Sequence, residues 1–312
     1  MAYHIILPLN LVQEAIRQTH SIWGGGLSID DRMERQLQRL ADCGTELYHL
    51  SGITDSDGRL VSSLKRYYFD ISIDGEIVHA VGLGGIFTHP DYRRNGLAAN
   101  MIEDILRESR EELGCGASVL YSDIDPSYYN KLGFRQVTAL SWDVPVASLP
   151  TAEVLERHEV IEGDLPLLLK LHDDATSSAG IRTERTEHTW KLFHQMNGIG
   201  SSQLLIDDKN EPVGYVTIGG EVKGGGIWLE EACSSIENES RLWATIRTIA
   251  EGMGATHMRG WYVPTLKLLT GFDGYEATLR TRAVPMIAAL DSELVITDEA
   301  LAHAYFPAPD HF

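Results

Sequence analysis

The stretch HAVGLGGIFTHPDYRRNGLAANMIEDIL, residues 79–106, decides how this chain folds. It begins as an apolar strand pattern, passes through a proline turn, and opens a helical pattern at residues 93–98. From Leu97 to Glu112 the apolar residues recur mostly at intervals of three and four, which predicts an amphipathic helix. A strand, a tight turn and a helix in this order predict an anion site, because N–H groups in a helix's first turn lack intrahelical partners.

The turn itself suits the close approach of a diphosphate. Side chains larger than those of Gly96 and Ala98 would keep phosphate oxygens away from the helix start, although a glycine here can also be a cap or a packing residue. Two arginines add positive charge beside it. The predicted diphosphate-binding residues are Arg93, Arg94, Asn95, Gly96, Leu97 and Ala98.

This turn resembles the acyl-CoA-binding motif of the GNAT superfamily of N-acetyltransferases. The motif is an Arg or Gln, two variable residues, a Gly, one variable residue, and a Gly or Ala, and Arg93, Gly96 and Ala98 match it. Pro90 and the aromatic Tyr92 precede it, as is usual in that superfamily. The resemblance implies an acetyltransferase that uses acetyl-CoA as its co-substrate.

The resemblance extends over about residues 1–143 and implies roles for the strand before the motif. Main-chain groups of Ile86, Phe87 and Thr88 would contact the pantetheine arm and the thioester carbonyl. Gly84-Gly85 would mark the point at which two strands part to admit the co-substrate. Close packing of strands is the alternative role for these two glycines.

The run SDIDPSYYNKLGF, residues 122–134, resembles the enhanced-intracellular-survival type of acetyltransferase. The pattern is Ser-x-Tyr-x-x-x-Gly-aromatic, beginning here at Ser127, and its Tyr protonates the departing coenzyme A thiolate. The resemblance therefore implies that Tyr129 is the general acid, with Tyr128 as the alternative. A phenol with a pKa of about 10 is protonated at neutral pH, but both tyrosines can also be packing residues.

No single carboxylate stands out as the base that accepts the amine's proton. Asp123 and Asp125 follow one predicted strand, and His79 and His89 lie near another. In the enhanced-intracellular-survival type the chain's own C-terminal carboxylate is the base. Because Asp-His-Phe ends this chain after an apolar run, the resemblance implies a catalytic carboxylate at Phe312, with a frayed tail as the alternative.

The order of predicted elements occurs twice, on either side of a proline-bearing stretch at residues 144–151. This predicts an α+β protein of two tandem GNAT-like domains, each a mixed, mostly antiparallel sheet flanked by helices. The expected units are a catalytic, acetyl-CoA-binding domain at 1–146, a GNAT-like domain at 152–290 and a tail at 291–312. Members of the enhanced-intracellular-survival type carry a further sterol-carrier-like domain, for which this tail is too short.

The second domain is expected to be degenerate. Its strand-to-helix segment, residues 228–249, lacks the motif, and four carboxylates there would repel a diphosphate. The four are Glu230, Glu231, Glu237 and Glu239. We expect this domain to wall the acceptor cleft without binding coenzyme A, although an acidic helix start is also ordinary capping.

The composition of the chain limits the classes of molecule that it is expected to bind. The chain has 312 residues with 45 acidic and 26 basic side chains, a formal charge of -19, which disfavours nucleic acid and favours a cationic acceptor. Cys43, Cys115 and Cys233 are far apart and form no metal or disulfide pattern. The absence of a long apolar stretch and of a leader predicts a cytoplasmic protein that does not enter a membrane.

The sequence therefore predicts an acetyl-CoA-dependent N-acetyltransferase that needs no metal and acts on a primary amine of a small molecule or peptide. Trp23, in the loop SIWGGG, and Asp123 are candidate acceptor-binding residues, although a Trp in this loop can equally be a core anchor. A homo-oligomer is left open. The alternatives are a non-catalytic acyl-CoA-binding regulatory module, in which Tyr129 is dispensable, and a purely structural interaction protein.

Overall fold

Two β-sheets organise the computed structural model, which describes residues 4–196, 202–222 and 225–311. The helices are α1 (Leu9–Trp23), α2 (Ile29–Leu47), α3 (Leu97–Leu113), α4 (Ser127–Asn130), α5 (Leu165–Thr176), α6 (Glu187–Met196), α7 (Glu239–Gly252) and α8 (Asp298–Ala302). The strands are β1 (Ile5–Ile6), β2 (Tyr48–Thr54), β3 (Leu60–Ile73), β4 (Glu76–Thr88), β5 (Ala117–Ser122), β6 (Arg135–Gln136), β7 (Leu140–Pro145), β8 (Glu156–Glu159), β9 (Ile181–Thr183), β10 (Ser202–Ile206), β11 (Pro212–Val222), β12 (Gly226–Ser234), β13 (His257–Trp261), β14 (Glu276–Leu279), β15 (Val284–Ala289) and β16 (Ala304–Tyr305).

In the described ranges the first sheet has nine strands, in the order β1-β2-β3-β4-β5-β15-β6, with β9 paired to β3 and β16 paired to β9. β3 and β4 form an antiparallel hairpin through Asp74 and Gly75, whose φ values of 50° and 87° suit a two-residue turn. β4 and β5 are parallel, and α3 crosses over between them. The helix predicted from the spacing of apolar residues is therefore the crossover of a strand–helix–strand unit.

Among the residues that the structure describes, the second sheet has seven strands, in the order β14-β7-β13-β12-β11-β10-β8. It repeats the same unit, because β12 and β13 are parallel and α7 crosses over between them. The remaining pairs in this sheet are antiparallel. The predicted fold class, α+β with two mixed, mostly antiparallel sheets flanked by helices, is confirmed.

The two sheets exchange strands. β7, which lies before the predicted boundary at residue 146, pairs with β13 and β14 of the second sheet. β15, which lies far beyond that boundary, enters the first sheet between β5 and β6. The predicted domain boundaries therefore do not separate the sheets. The reason is that an apolar run such as VPMIAA indicates a buried strand but not the sheet that buries it.

The two faces of the first sheet pack against different helices. From Leu64 onward, alternate residues of β3 point to opposite faces, as the pleat requires. Tyr67 and Phe69 pack with α1 and α2, whereas Leu64 and Tyr68 pack with α3 and α4. The site described below lies where these two faces meet, at the carboxyl end of β4.

None of the helices in the described ranges has both the length and the apolar character needed to cross a bilayer.

Candidate active site

The strands β4 and β5 part at the predicted position. They pair in parallel from Ala80 with Ala117 to Leu83 with Leu120, and the pairing ends there. Directly afterwards the register between β3 and β4 shifts, and Gly85 takes a φ of +54°, in the left-handed region that favours glycine. A bulge on one strand and a gap beside the other leave an opening into the sheet.

A cleft of about 640 Å³ occupies this opening. The predicted site residues that line it are Trp23, Ile86, Thr88, Ala98, Asp123 and Tyr129. Phe87 is buried instead, and its carbonyl accepts a hydrogen bond of 2.9 Å from the Ser62 hydroxyl. Residues 93–96 form the turn before α3. The helix begins at Leu97, and Ala98 in its first turn lines the cleft.

The turn keeps the start of α3 open. Gly96 caps the helix with a φ of 73°, and Arg94 is also left-handed at 65°. A Cβ built on Gly96 would meet nothing closer than the Asn100 side chain at 3.7 Å, so the protein itself leaves this space free. Arg93 donates from Nε to the Thr88 carbonyl at 3.1 Å, which ties the turn to the end of β4. The backbone N–H groups of the first turn can therefore receive an anion such as a diphosphate.

Tyr129 lies on the short helix α4 and is 7% exposed. Its ring packs edge-on against Phe134 and Tyr128, with centroids 6.2 and 5.0 Å away. Burial, followed by the neighbouring Tyr128 and Asp123, raises the pKa of Tyr129 above its usual value. The hydroxyl therefore keeps its proton at neutral pH and can donate it into the cleft. Tyr128 also lines the cleft and is half-buried.

Of the four candidate bases, Asp123 lines the cleft, and its carboxylate accepts from the Ala283 N–H at 3.0 Å. Asp125 accepts the Ser127 N–H at 2.9 Å, at the start of α4. His79 pairs with Asp70 across the β3–β4 hairpin, and His89 lies at the turn before residue 90. The structure does not place these three among the lining residues it describes.

His311 is a cleft residue that sequence reasoning missed. The centroid of its ring lies 5.0 Å from the ring centroid of Tyr121 on β5 and 5.5 Å from that of Trp261 on β13. Burial lowers the pKa of His311 to about 4, so its imidazole is neutral at physiological pH. The predicted catalytic carboxylate of Phe312 lies outside the described residues.

A buried ion cluster holds the segment before His311. The Arg185 guanidinium donates to Asp310 Oδ1 at 2.7 Å and to Glu231 Oε2 at 2.8 Å. The Tyr305 hydroxyl donates to the other Glu231 oxygen at 2.7 Å. All four side chains are almost completely buried. No short-range pattern in the sequence connects these positions, since they meet only through the fold.

Lys65 and Arg39 are two further lining residues that the sequence did not indicate. The Lys65 stem runs beneath the bulge, with Cδ 3.4 Å from the position that a Gly85 Cβ would take. Burial, with a smaller effect of the nearby Arg39 and Arg32, lowers the pKa of Lys65 to about 7. Nothing in the sequence next to Lys65, which lies in a β-rich run, indicates that this residue lines a cleft.

Comparison with known proteins agrees with this geometry. Residues 13–137 match the family model of the acetyltransferase (GNAT) domain. No curated protein sequence gives a significant match.

Solved structures share the fold over nearly the whole chain. A GCN5-related N-acetyltransferase from Anabaena variabilis has a TM-score of 0.75 at 18% identity, covering 93% of this chain and 73% of its own. A conserved protein of unknown function from Enterococcus faecalis, described as a probable N-acyltransferase, has 0.75 at 13% identity with the same coverage. The Saccharomyces cerevisiae N-myristoyltransferase with bound myristoyl-CoA has 0.60 at 9% identity, covering 97% of this chain and 89% of its own. The chain thus carries, over residues 13–137, a region that matches the GNAT acetyltransferase domain, within a fold shared with GCN5-related N-acetyltransferases.

Proposed function

We propose that the protein is an acetyl-CoA-dependent N-acetyltransferase whose acceptor is a primary amine. The proposal rests on one observation, which is that three features lie at the same cleft. These are the open start of α3 at Gly96, the parting of β4 and β5 at Leu83, and the buried phenol of Tyr129. An anion-binding helix start beside a gap between strands fits a diphosphate with a long acyl-bearing arm.

In this proposal the chain's residues bind and orient acetyl-CoA in two places. The backbone N–H groups of residues 94–98 receive the diphosphate, and Arg94 adds positive charge. The main chain at Gly85 and Ile86, released from regular pairing by the bulge, receives the pantetheine arm and the thioester carbonyl. The Phe87 carbonyl accepts a hydrogen bond from the Ser62 hydroxyl, which leaves its N–H as the main-chain group that would act on the thioester carbonyl.

The transfer forms one N–C bond and breaks one C–S bond. The acceptor nitrogen loses a proton, and the sulfur leaving group gains one, so the cleft must supply an acceptor and a donor of protons. Asp123 and neutral His311 line the cleft as proton acceptors, directly or through water. Tyr129 supplies its phenolic proton to the sulfur.

The second half contributes to the same cleft in our proposal, as a wall for the acceptor. Trp261 of β13 stacks near Tyr121 of β5, with ring centroids 6.3 Å apart, and Arg280 lies over the Trp261 ring at 3.4 Å. Ligand sites favour such junctions between packed units.

The test combines acetyl-CoA binding with turnover of an amine panel, for the wild type and for Tyr129→Phe. Removing one general acid typically lowers the rate by about 10²–10⁴-fold. We expect kcat to fall within that range while acetyl-CoA binding, measured by calorimetry, is unchanged.

Tyr128→Phe, on the same helix, is the matched control, and we expect it to change kcat far less. Equal rates in wild type and Tyr129→Phe would remove Tyr129 from the mechanism. Saturable acetyl-CoA binding without turnover of any amine would favour the regulatory module instead.

A further inference from the structure

One end of the cleft is basic in a protein whose overall charge is -19. Arg39 of α2 and Lys65 of β3 line it, and Arg32 of α2 lies near Lys65. Arg32 and Arg39 are only 4% and 6% exposed. Within the described ranges, none of the three has a carboxylate oxygen within 4.0 Å. We call Arg32, Arg39 and Lys65 the basic cluster.

The contacts that the structure describes for Arg32 and Arg39 are with neutral groups. Arg32 donates to the Ile16 carbonyl and to the Thr19 hydroxyl, both at 2.9 Å. The Arg39 guanidinium lies 5.9 Å from the centroid of the Tyr48 ring. Neutral partners satisfy hydrogen bonds but do not neutralise charge, so the cluster retains an uncompensated positive charge next to the cleft.

Acetyl-CoA phosphates are not the expected partners of the basic cluster, because the two lie on opposite faces of the sheet. Lys65 shares its face with Tyr67 and Phe69, which pack against α1 and α2. The diphosphate turn opens α3, which packs against the face of Leu64 and Tyr68. The cluster therefore faces the side of the opening on which Trp23 and the α1–α2 connection lie.

A bound anion would offset the cost of this arrangement. Burial, and to a smaller degree the nearby positive charges of Arg39 and Arg32, disfavours the charged form of Lys65 and lowers its pKa. An anion within hydrogen-bond reach would return Lys65 to its charged form. Arginine presents paired N–H groups that match the two oxygens of a carboxylate.

We propose that the basic cluster binds a carboxylate of the acceptor, so that the substrate is an amine that also carries an acid, such as an amino acid. This rests on the proposed function and names its substrate class. Lys65 lies directly beneath Gly85, where the thioester would lie. A carboxylate bound by Lys65 would therefore be close to the reacting nitrogen, so the two groups are expected to be near each other in the acceptor. It replaces the cationic acceptor expected from net charge, since a local cluster outweighs a distant field at contact range.

The test compares matched pairs of amino acids and their amides as acceptors: glycine with glycinamide, β-alanine with β-alaninamide, and lysine with lysinamide. The amide removes the negative charge but also changes the basicity of the amine. The quantity compared is therefore the ratio of kcat/KM within each pair, for the wild type against each variant.

We expect Lys65→Met to lower the acid-to-amide ratio of kcat/KM by about tenfold or more relative to the wild type, because a buried charged partner is lost. Lys65→Arg keeps the charge and should restore most of the preference. Lys170→Met removes an exposed lysine of α5 and should leave the preference unchanged. Calorimetry should show the same acetyl-CoA affinity in all four proteins.

A wild type that acetylates no acid of the panel, or whose acid-to-amide ratio of kcat/KM equals that of Lys65→Met, overturns the proposal. In each of these cases intact acetyl-CoA binding and turnover of other amines would leave the proposed function standing. Loss of acetyl-CoA binding in the wild type would instead overturn the proposed function itself.

Discussion

The two parallel strand pairs, β4 with β5 and β12 with β13, end in the same geometry. The residues at the end of the first pair leave an opening, whereas those at the end of the second pair fill it. In the second pair the pairing ends at Leu229 with Gly260, and the register with β11 shifts at the next residue, as it does beside Gly85 in the first. The first pair has Gly84-Gly85 at this point and the second has Glu230-Glu231. The first opening is a cleft, whereas at the second Glu231 belongs to the buried ion cluster.

The helix starts differ in the same way. Gly96 leaves the first turn of α3 open, whereas the Glu239 carboxylate at the start of α7 accepts from the Leu268 N–H at 2.8 Å and from the Trp243 indole at 3.2 Å. Glu239 is 3% exposed. One order of elements thus supports either a ligand opening or a filled core, and a few side chains at the bulge and at the helix start decide between them.

The largest expected effect concerns the open helix start. In Gly96→Trp the new side chain forces the left-handed φ of 73° onto a bulky residue and fills the space before α3. We expect saturable acetyl-CoA binding, at about one site per chain in the wild type, to be lost in calorimetry.

Gly254→Trp is the control, since Gly254 also has a left-handed φ and open space but follows α7. Binding that survives in Gly96→Trp, or that disappears equally in both variants, would contradict the assignment of the site to α3.

The second largest expected effect concerns the buried ion cluster at the end of the β12–β13 pair. Arg185→Met leaves Glu231 and Asp310 buried without their cation, and breaking such a cluster typically costs about 3–5 kcal/mol of unfolding free energy. Denaturant unfolding would measure the loss, and the exposed pair of Arg107 and Asp104 supplies the control variant Arg107→Met. A loss as small as that of the control would show that the cluster does not stabilise the second opening.

The smallest expected effect is a pH-dependent change in stability that arises from Glu230. Burial, with the nearby Glu231, raises its pKa from 4.5 to about 7. Between these values the folded state holds a proton that the unfolded state releases, so this group's contribution to stability falls as pH rises from about 4.5 to 7.

Glu230→Gln should therefore remove about 1–2 kcal/mol of that fall, after allowance for solvent screening. Unfolding curves of wild type and variant across this pH range would measure it. Parallel stability profiles would mean that the Glu230 carboxyl titrates normally.

The sequence predicted what short-range patterns encode. The turn at residues 93–98, the Asp74-Gly75 hairpin and the crossover helix depend on neighbours within a few positions, and each lies where it was expected. Tyr129 was a candidate because of a motif of similar length and Asp123 because it follows a predicted strand, and both line the cleft.

Residues brought together over long distances could not be found in this way. Lys65 is one of several polar residues in β3, and its position under Gly85 depends on the register between two strands. His311 reaches the cleft because Arg185 holds Asp310, across more than a hundred positions of sequence. The strand exchange was missed for the same reason, since β7 and β15 each suit either sheet.

That exchange has a consequence for the order in which the protein acquires its structure during synthesis. Residue 117 of β5 pairs with residue 289 of β15, so the first sheet cannot be completed until β15, which is synthesised long after β5, has left the ribosome. Until then the edge of β5 next to Tyr121 has no partner strand, and unpaired edges invite association with other chains. Closing so long a loop also slows folding. The cleft is therefore among the last parts of the molecule to form, although most of the residues that line it are made first.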